Sequence, residues 1–144
     1  MKTGLLKINC KIPTSLSVPA YYVNRPKTHG ITIAFGTISD DLLNLVGESA
    51  RVCLNALYST KNTMFFGANF EFLPEPEVAP VPPNPPHITV GWAKGSAPVV
   101  AGQELGSITI ASEMPRGWRR SMEFEGWTTV GVVEFLEFKD SKFG

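Results

Sequence analysis

At 144 residues and 43% hydrophobic composition, the chain is long enough for one domain with a buried core. The 13 Lys and Arg balance the 13 Asp and Glu, and this zero net charge argues against an extended surface for nucleic acid or for an anionic membrane. No segment approaches the roughly 18 consecutive apolar residues of a membrane span, and residues 1–13 lack the apolar core of a signal peptide. The chain is therefore expected to be a soluble, cytoplasmic protein without a membrane partner, with Cys10 and Cys53 as reduced thiols.

The first half of the chain predicts two strands and one helix. Residues 4–12 alternate between apolar and polar side chains, which favours a first strand, and three prolines within 13–28 favour a loop. The β-branched and apolar residues of HGITIAFGT (29–37) favour a buried strand. From about 40 to 58, apolar residues recur at steps of three and four, and Ser39 precedes them as a natural N-cap. This pattern predicts a helix at about 40–58.

A proline-rich stretch divides the chain. Before it, residues 63–74 favour a strand, with Gly67 as a candidate bulge. Seven of the 13 residues from 74 to 86 are proline, so this stretch predicts a stiff, extended connector or a docking segment for a partner protein. After it, the segments 87–93, 104–115, 121–131 and 132–139 favour further strands. The sequence thus predicts a single α+β domain (1–144), with one half at about 1–73 and the other at about 87–144.

The two histidines of the chain open two similar segments, HGITIAFG and HITVGWA. In the second segment His87 and Thr89 are two residues apart, so both project from the same face of a strand. In the first segment His29 and Thr32 are three apart, and a β-bulge at Gly30 would return them to a common face. Two facing pairs of this kind would supply a general base, a general acid and two hydroxyls that hold a phosphate.

These segments resemble the paired H-x-[S/T] motifs of the 2H phosphoesterase superfamily. The stretch HITVGWAKGSAPVVAGQEL is similar to the second motif and following loop of the cyclic phosphodiesterase domain of fungal tRNA ligases. The resemblance implies two pseudo-symmetric lobes of antiparallel sheet around a central cleft. It also implies hydrolysis of nucleotide 2′,3′-cyclic phosphates, or of a short RNA-type substrate, without a metal or other cofactor. In that case the catalytic residues are His29, His87, Thr32 and Thr89, and the sequence leaves open which histidine is the base.

Two other functions fit the same residues. A 2H enzyme could instead cleave the 3′–5′ linkages of cyclic or linear oligonucleotide signals, as phage members of the superfamily do. Alternatively, the histidines are structural and the chain is a non-catalytic module that binds a nucleotide or a protein. Loss of turnover in a His87→Ala variant with an intact fold separates catalysis from a structural role.

Five further residues are candidates for substrate binding, through base stacking or phosphate contact. Each has a structural alternative: core packing for the aromatic residues, a solvated surface for the basic ones, and a polar turn for the segment RGWRR (116–120). The candidates are Trp92, Tyr22, Lys94, Arg25 and Trp118.

Overall fold

The computed structural model describes residues 2–110 and 114–138, which form seven strands and two helices. In chain order these are β1 (Lys2–Asn9), β2 (Gly30–Ile38), α1 (Asp40–Leu43), β3 (Ser49–Ser59), β4 (Thr63–Phe72), β5 (His87–Trp92), α2 (Val99–Ile110), β6 (Arg119–Ser121) and β7 (Thr128–Glu137). The predicted α+β class is confirmed. No helix in these two ranges is both long enough and apolar enough to cross a membrane.

The seven described strands join in one antiparallel sheet. The order is β2-β1-β7-β3-β4-β5, and β6 pairs with β3. Strands β2 and β5, at the two ends of this path, contact each other, so the sheet nearly closes into a barrel. The predicted cleft-like arrangement of antiparallel strands therefore takes the form of one curved sheet. Its two halves are interleaved, because β7 lies between β1 and β3 and pairs with both.

Alternating side chains of the strands fill the inside of this barrel. Fully buried pairs at i and i+2 occur in β1, β2, β3 and β5, as the period of a strand requires. These pairs are Leu6 and Ile8, Ile31 and Ile33, Val52 and Leu54, and Ile88 and Val90. On the outside, α2 covers β4 and β5, where Ala101 and Leu105 pack against Phe65.

The helix predicted at about 40–58 is wrong, because most of this segment is strand β3. Ser39 does cap a helix, and its Oγ accepts a hydrogen bond from the Leu42 N–H (3.3 Å), but α1 has only four residues. Gly47 then adopts a φ of +91°, which favours glycine, and the chain turns into β3. The buried residues of β3 alternate, and β3 pairs with β4 on one side and with β7 on the other. Two rows of sheet hydrogen bonds outweigh the local helical period.

The strand predicted at 104–115 is also wrong where the structure describes it. Residues up to 110 belong to α2, and 111–113 lie outside the described residues. Ala101 and Leu105 are four residues apart and bury one stripe of the helix against Phe65. The predicted strands at 63–74 and 87–93 are present as β4 and β5. Of the strand predicted at 121–131, Ser121 ends β6, residues 122–127 form a turn region and 128–131 begin β7. The strand predicted at 132–139 continues β7 to Glu137, with Lys139 outside the described residues.

The two predicted bulges fall elsewhere. Gly30 pairs directly with Asn9, and the extra residue of β2 is Ile33, which lies between the pairs Leu6–Ala34 and Lys7–Thr32. The predicted bulge at Gly30 is therefore wrong; the bulge at Ile33 leaves both Ile33 and Ala34 buried. Opposite Gly67 the irregularity is on the partner strand β3, between Leu54 and Leu57.

The segment from 10 to 29 crosses one open end of the barrel. The Tyr22 hydroxyl donates to the Thr60 carbonyl (2.6 Å), and Asn24 pairs with Trp92 through backbone hydrogen bonds. The Arg25 guanidinium holds the loop by donating to the carbonyls of Val18 (3.0 Å) and Tyr22 (3.2 Å). The loop predicted at 13–28 thus connects β1 to β2 by way of the β5 end of the barrel.

Candidate functional site

Strand β5 presents His87 and Thr89 on its outer face. Ile88 and Val90 enter the core of the barrel, so the residues that alternate with them point outward. The cross-strand partner of Thr89 is Phe65, whose side chain packs against α2. Helix α2 therefore lies over the same face of the sheet as His87 and Thr89.

A hydrogen bond to the backbone determines which ring nitrogen of His87 carries the proton. Its Nδ1 lies 2.8 Å from the Pro85 carbonyl oxygen, which can only accept, so Nδ1 carries the proton and Nε2 keeps a free lone pair. Burial lowers the pKa of His87, and the bond to Pro85 opposes that shift in part. The imidazole is therefore neutral at pH 7, with Nε2 able to accept a proton as a general base does.

Gly102 of α2 makes room for this imidazole. A Cβ at position 102 would lie 2.8 Å from His87 Cε1 and 2.7 Å from Asn84 Nδ2. Any side chain at 102 would have to displace His87 or Asn84, so the glycine lets the helix rest against the ring. The helix and the ring of Phe65, whose centroid lies 6.4 Å away, leave His87 half-buried.

Thr32 lies on the outer face of the neighbouring strand. It stands between the fully buried Ile31 and Ile33, and its cross-strand partner is Lys7. Since β2 and β5 contact each other, the outward residues of the two strands lie on adjoining parts of the outer surface. We call Thr32, His87 and Thr89 the β2–β5 seam. Within the described residues, the hydroxyls of Thr32 and Thr89 make no hydrogen bond, so they are available to a ligand.

His29 lies one residue before β2. It lines a cavity of about 840 Å³ at the end of the barrel, together with Asn9, Cys10 and Thr28. Because no bulge occurs at Gly30, His29 and Thr32 project to opposite sides of the strand. Burial and the nearby charge of Lys7 lower the pKa of His29. The structure thus places His87, Thr89 and Thr32 on strands that contact each other, whereas His29 lies just before β2 and lines this cavity.

The other predicted binding residues are scattered. Trp92 is half-buried on the outer face of β5, opposite Thr63 and in line with Thr89. Tyr22 is buried in the core with its hydroxyl bonded to Thr60, so its predicted role as a base-stacking residue is wrong. Lys94 is exposed in the turn after β5. Arg25 holds loop carbonyls, and Trp118 is half-buried in the turn before β6.

Sequence reasoning missed a buried carboxylate beside the seam. Glu104 of α2 accepts hydrogen bonds from the hydroxyls of Thr60 (3.0 Å) and Thr63 and from the Asn62 amide (3.4 Å). These donors surround the turn between β3 and β4, so the carboxylate anchors α2 over the outer face of the sheet. No signal in the sequence identifies Glu104, because its role depends on α2, which the sequence did not predict.

Replacement of Glu104 by Ala is expected to lower the free energy of unfolding by about 2–3 kcal/mol, because two buried threonine hydroxyls lose their acceptor. Urea unfolding followed by circular dichroism measures this. Glu104→Gln, which keeps one acceptor oxygen, should lose about half as much, and the exposed Glu123→Ala should lose almost nothing. Equal stability of Glu104→Ala and wild type would show that the carboxylate does not anchor α2.

The protein is expected to lose stability as the pH falls through 6.5, the ordinary pKa of histidine. The pKa of His87 is lower in the folded chain, so the unfolded chain binds more protons in this range and acid favours unfolding. His29 contributes with the same sign. Unfolding free energies near pH 7.5 and near pH 5.5 test this, with His87→Asn as the comparison. The loss should be smaller in the variant, and an identical loss would contradict the assignment to His87.

Neither a metal site among the described residues nor a similar known protein identifies the function of these residues. Within residues 2–110 and 114–138, no group of three or more His, Cys, Asp or Glu side chains is placed to hold a metal ion. No protein-family model matches the chain, and no curated protein is found to be similar to it.

Proposed function

We propose that this chain is a metal-independent phosphodiesterase that opens nucleotide 2′,3′-cyclic phosphates at the β2–β5 seam. One observation carries the proposal. The two strands that begin with the histidine segments are far apart in sequence, yet they contact each other and turn Thr32, His87 and Thr89 to the outer face. A neutral imidazole and two unbonded hydroxyls on the outer face of two contacting strands suit the recognition of a phosphate.

The chemistry assigns a distinct task to each seam residue. His87 Nε2 removes a proton from the water that attacks phosphorus, while its Nδ1–H stays bonded to Pro85. The hydroxyls of Thr32 and Thr89 donate to the non-bridging oxygens as negative charge builds up on them. The bond from phosphorus to one ribose oxygen then breaks, and that oxygen takes a proton. With only two histidines in the chain, His29 is the remaining imidazole for this last step.

The position of His29 favours a second candidate function, nucleotide binding without cleavage. Its imidazole lines the barrel-end cavity with Cys10 and Thr28, whereas His87 lies under α2 beside Phe65. A seam with one imidazole could bind a phosphate and lack the second proton transfer. In that case the chain would bind nucleotides at the seam and release them without hydrolysis.

Hydrolysis of a substrate panel in EDTA distinguishes the two functions. The panel contains the four nucleoside 2′,3′-cyclic monophosphates, linear oligoadenylates, and cyclic di- and trinucleotides, tested with wild type, His87→Ala and His29→Ala. Cleavage of the 2′,3′-cyclic phosphates that disappears in His87→Ala supports the proposal. A preference for 3′–5′ linkages would instead identify oligonucleotide signals as the substrate of the same mechanism. Binding of the panel without cleavage supports the second candidate, and cleavage that EDTA abolishes contradicts a metal-independent mechanism.

A further inference from the structure

A second cavity, remote from the seam, has the composition of an anion site. It has a volume of about 530 Å³ and lies between the loop after β1 and strand β6. None of the seam residues lines it. Its polar lining includes two arginines and four serines: Arg119, Arg120, Ser15, Ser17, Ser59 and Ser121.

The arginines give this cavity an unbalanced positive charge. In the part of the chain that the structure describes, neither Arg119 nor Arg120 forms an ion pair, whereas Arg51 is paired with Glu71 at 3.5 Å. One acid, Glu123, also lines the cavity, so two basic residues and one acidic residue border it. A guanidinium is always protonated and donates through a planar fork that fits phosphate oxygens. The surplus charge therefore favours an anion.

The backbone places Arg119 beside hydroxyl donors. Strand β6 pairs with β3 so that Arg119 is opposite Ser59 and Ser121 is opposite Leu57, and cross-strand partners share a face. Ser121 Oγ accepts from the Glu123 N–H (3.3 Å), which leaves its own hydrogen free to donate. Ser15 and Ser17 approach from the loop that crosses the barrel end. Charged and hydroxyl donors around one space match the several oxygens of a phosphate monoester, which carries nearly two negative charges at neutral pH.

The rest of the lining is apolar. Leu57, Met64 and Phe124 line the cavity, and Leu57 and Met64 belong to the core of the barrel. A cavity of this size is within the range of small-ligand sites, and inorganic phosphate alone would leave the apolar surface uncovered. A ligand with a flat apolar group attached to the phosphate would cover both parts.

We propose that this cavity binds a nucleoside monophosphate, with the phosphate against Arg119 and the serine hydroxyls and the base against the apolar lining. The proposal does not require catalysis at the seam. It concerns residues that the seam does not share, so a chain without phosphodiesterase activity would still bind the ligand here.

Calorimetric titration tests the proposal with three probes: adenosine 5′-monophosphate, inorganic phosphate and adenosine. The first should bind most tightly, because the other two each lack one half of the contacts. Arg119→Gln should weaken its binding by ~10-fold or more, since it removes charged donors to the phosphate, and Arg120→Gln, on the opposite face of β6, should weaken it less. Amide NMR signals of Ser59 and Ser121 should move during the titration of wild type.

Arg116→Gln is the matched control. Arg116 is an exposed arginine of the same RGWRR segment and does not line the cavity, so its loss should change the affinity less than twofold. Arg119 and Arg120 are also exposed, so the variants are expected to fold, and melting temperatures check this. An equal effect of all three substitutions, or no effect of any, would overturn the site. Equal affinity for inorganic phosphate and the nucleotide would overturn the ligand class.

A further variant distinguishes nucleotide binding in this cavity from nucleotide binding at the seam. His87→Asn should bind the nucleotide in this cavity as wild type does, whether or not it has lost activity. If the Ser59 and Ser121 signals no longer moved in His87→Asn, the binding would belong to the seam and the proposal would fail.

Discussion

Replacement of His87 by Ala is expected to reduce turnover of a nucleotide 2′,3′-cyclic phosphate by ~10²–10⁴ while the chain stays folded. The reason is the orientation of the ring. Nδ1 is committed to the Pro85 carbonyl, so Nε2 is the atom that exchanges a proton with the substrate, and Ala removes it. Initial rates under substrate saturation, with circular dichroism and melting curves beside them, measure the effect.

His87→Asn sharpens this test. The Asn amide can still donate to Pro85, so the start of β5 keeps its hydrogen bond, but no group replaces Nε2. Turnover should fall as far as in His87→Ala with less loss of stability. Thr89→Val keeps the shape of the side chain without the hydroxyl and should lose ~10-fold or more. Full activity of His87→Asn would exclude His87 as a general base.

A second large effect is expected from Gly131→Ala, which should lower the free energy of unfolding by about 3 kcal/mol. Gly131 lies in β7, between β1 and β3. A Cβ there would be 2.5 Å from the Asn9 carbonyl oxygen and 2.6 Å from Ile8 Cγ2. The strand backbone, rather than a flexible side-chain end, would have to move, and β1 would separate from β7. Urea unfolding measures the loss.

Gly67→Ala is the matched control for this substitution. Gly67 is also inside a strand, but a Cβ there would meet Tyr58 and Asn55 at the ordinary distances of 3.7 and 3.8 Å. Because alanine restricts the unfolded chain more than glycine does, this variant should be unchanged or more stable by up to about 1 kcal/mol. If both variants lost the same stability, the cause would be strand glycines in general rather than the approach of β1 to β7.

Several parts of this fold were predictable because they depend on local period. Ile88 and Val90 alternate with His87 and Thr89, so the common outer face of the last two followed from the sequence alone. The stretch 74–86 forms no helix or strand, as its prolines lead one to expect, and it bends at several points. In each case the residues themselves carry the pattern and no neighbour changes it.

The errors arose where a neighbouring element decides the outcome. The segment from 50 to 57 satisfies both a helical period and a strand period, and its pairing with β4 and β7 selects the strand. Helix α2 contains Gly102 and Gly106, each of which weakens a helix by about 1 kcal/mol, and it is retained by packing on Phe65 and by the bonds of Glu104. The bulge of β2 falls at Ile33 because of its register with β1. Sequence alone could not place His29 for the same reason.

The position of β7 has a consequence for how the protein is made. During synthesis the hairpin of β1 and β2 leaves the ribosome first, and the meander of β3, β4 and β5 follows it. Until residues 128–137 emerge, β1 and β3 lack the strand that pairs with both, because β7 bridges them in the sheet. Each nascent half-sheet then presents an unpaired edge to other chains, which is a hazard for aggregation. Completion of the barrel is therefore expected to be a late event in folding, and the growing chain a client for chaperones that shield strand edges.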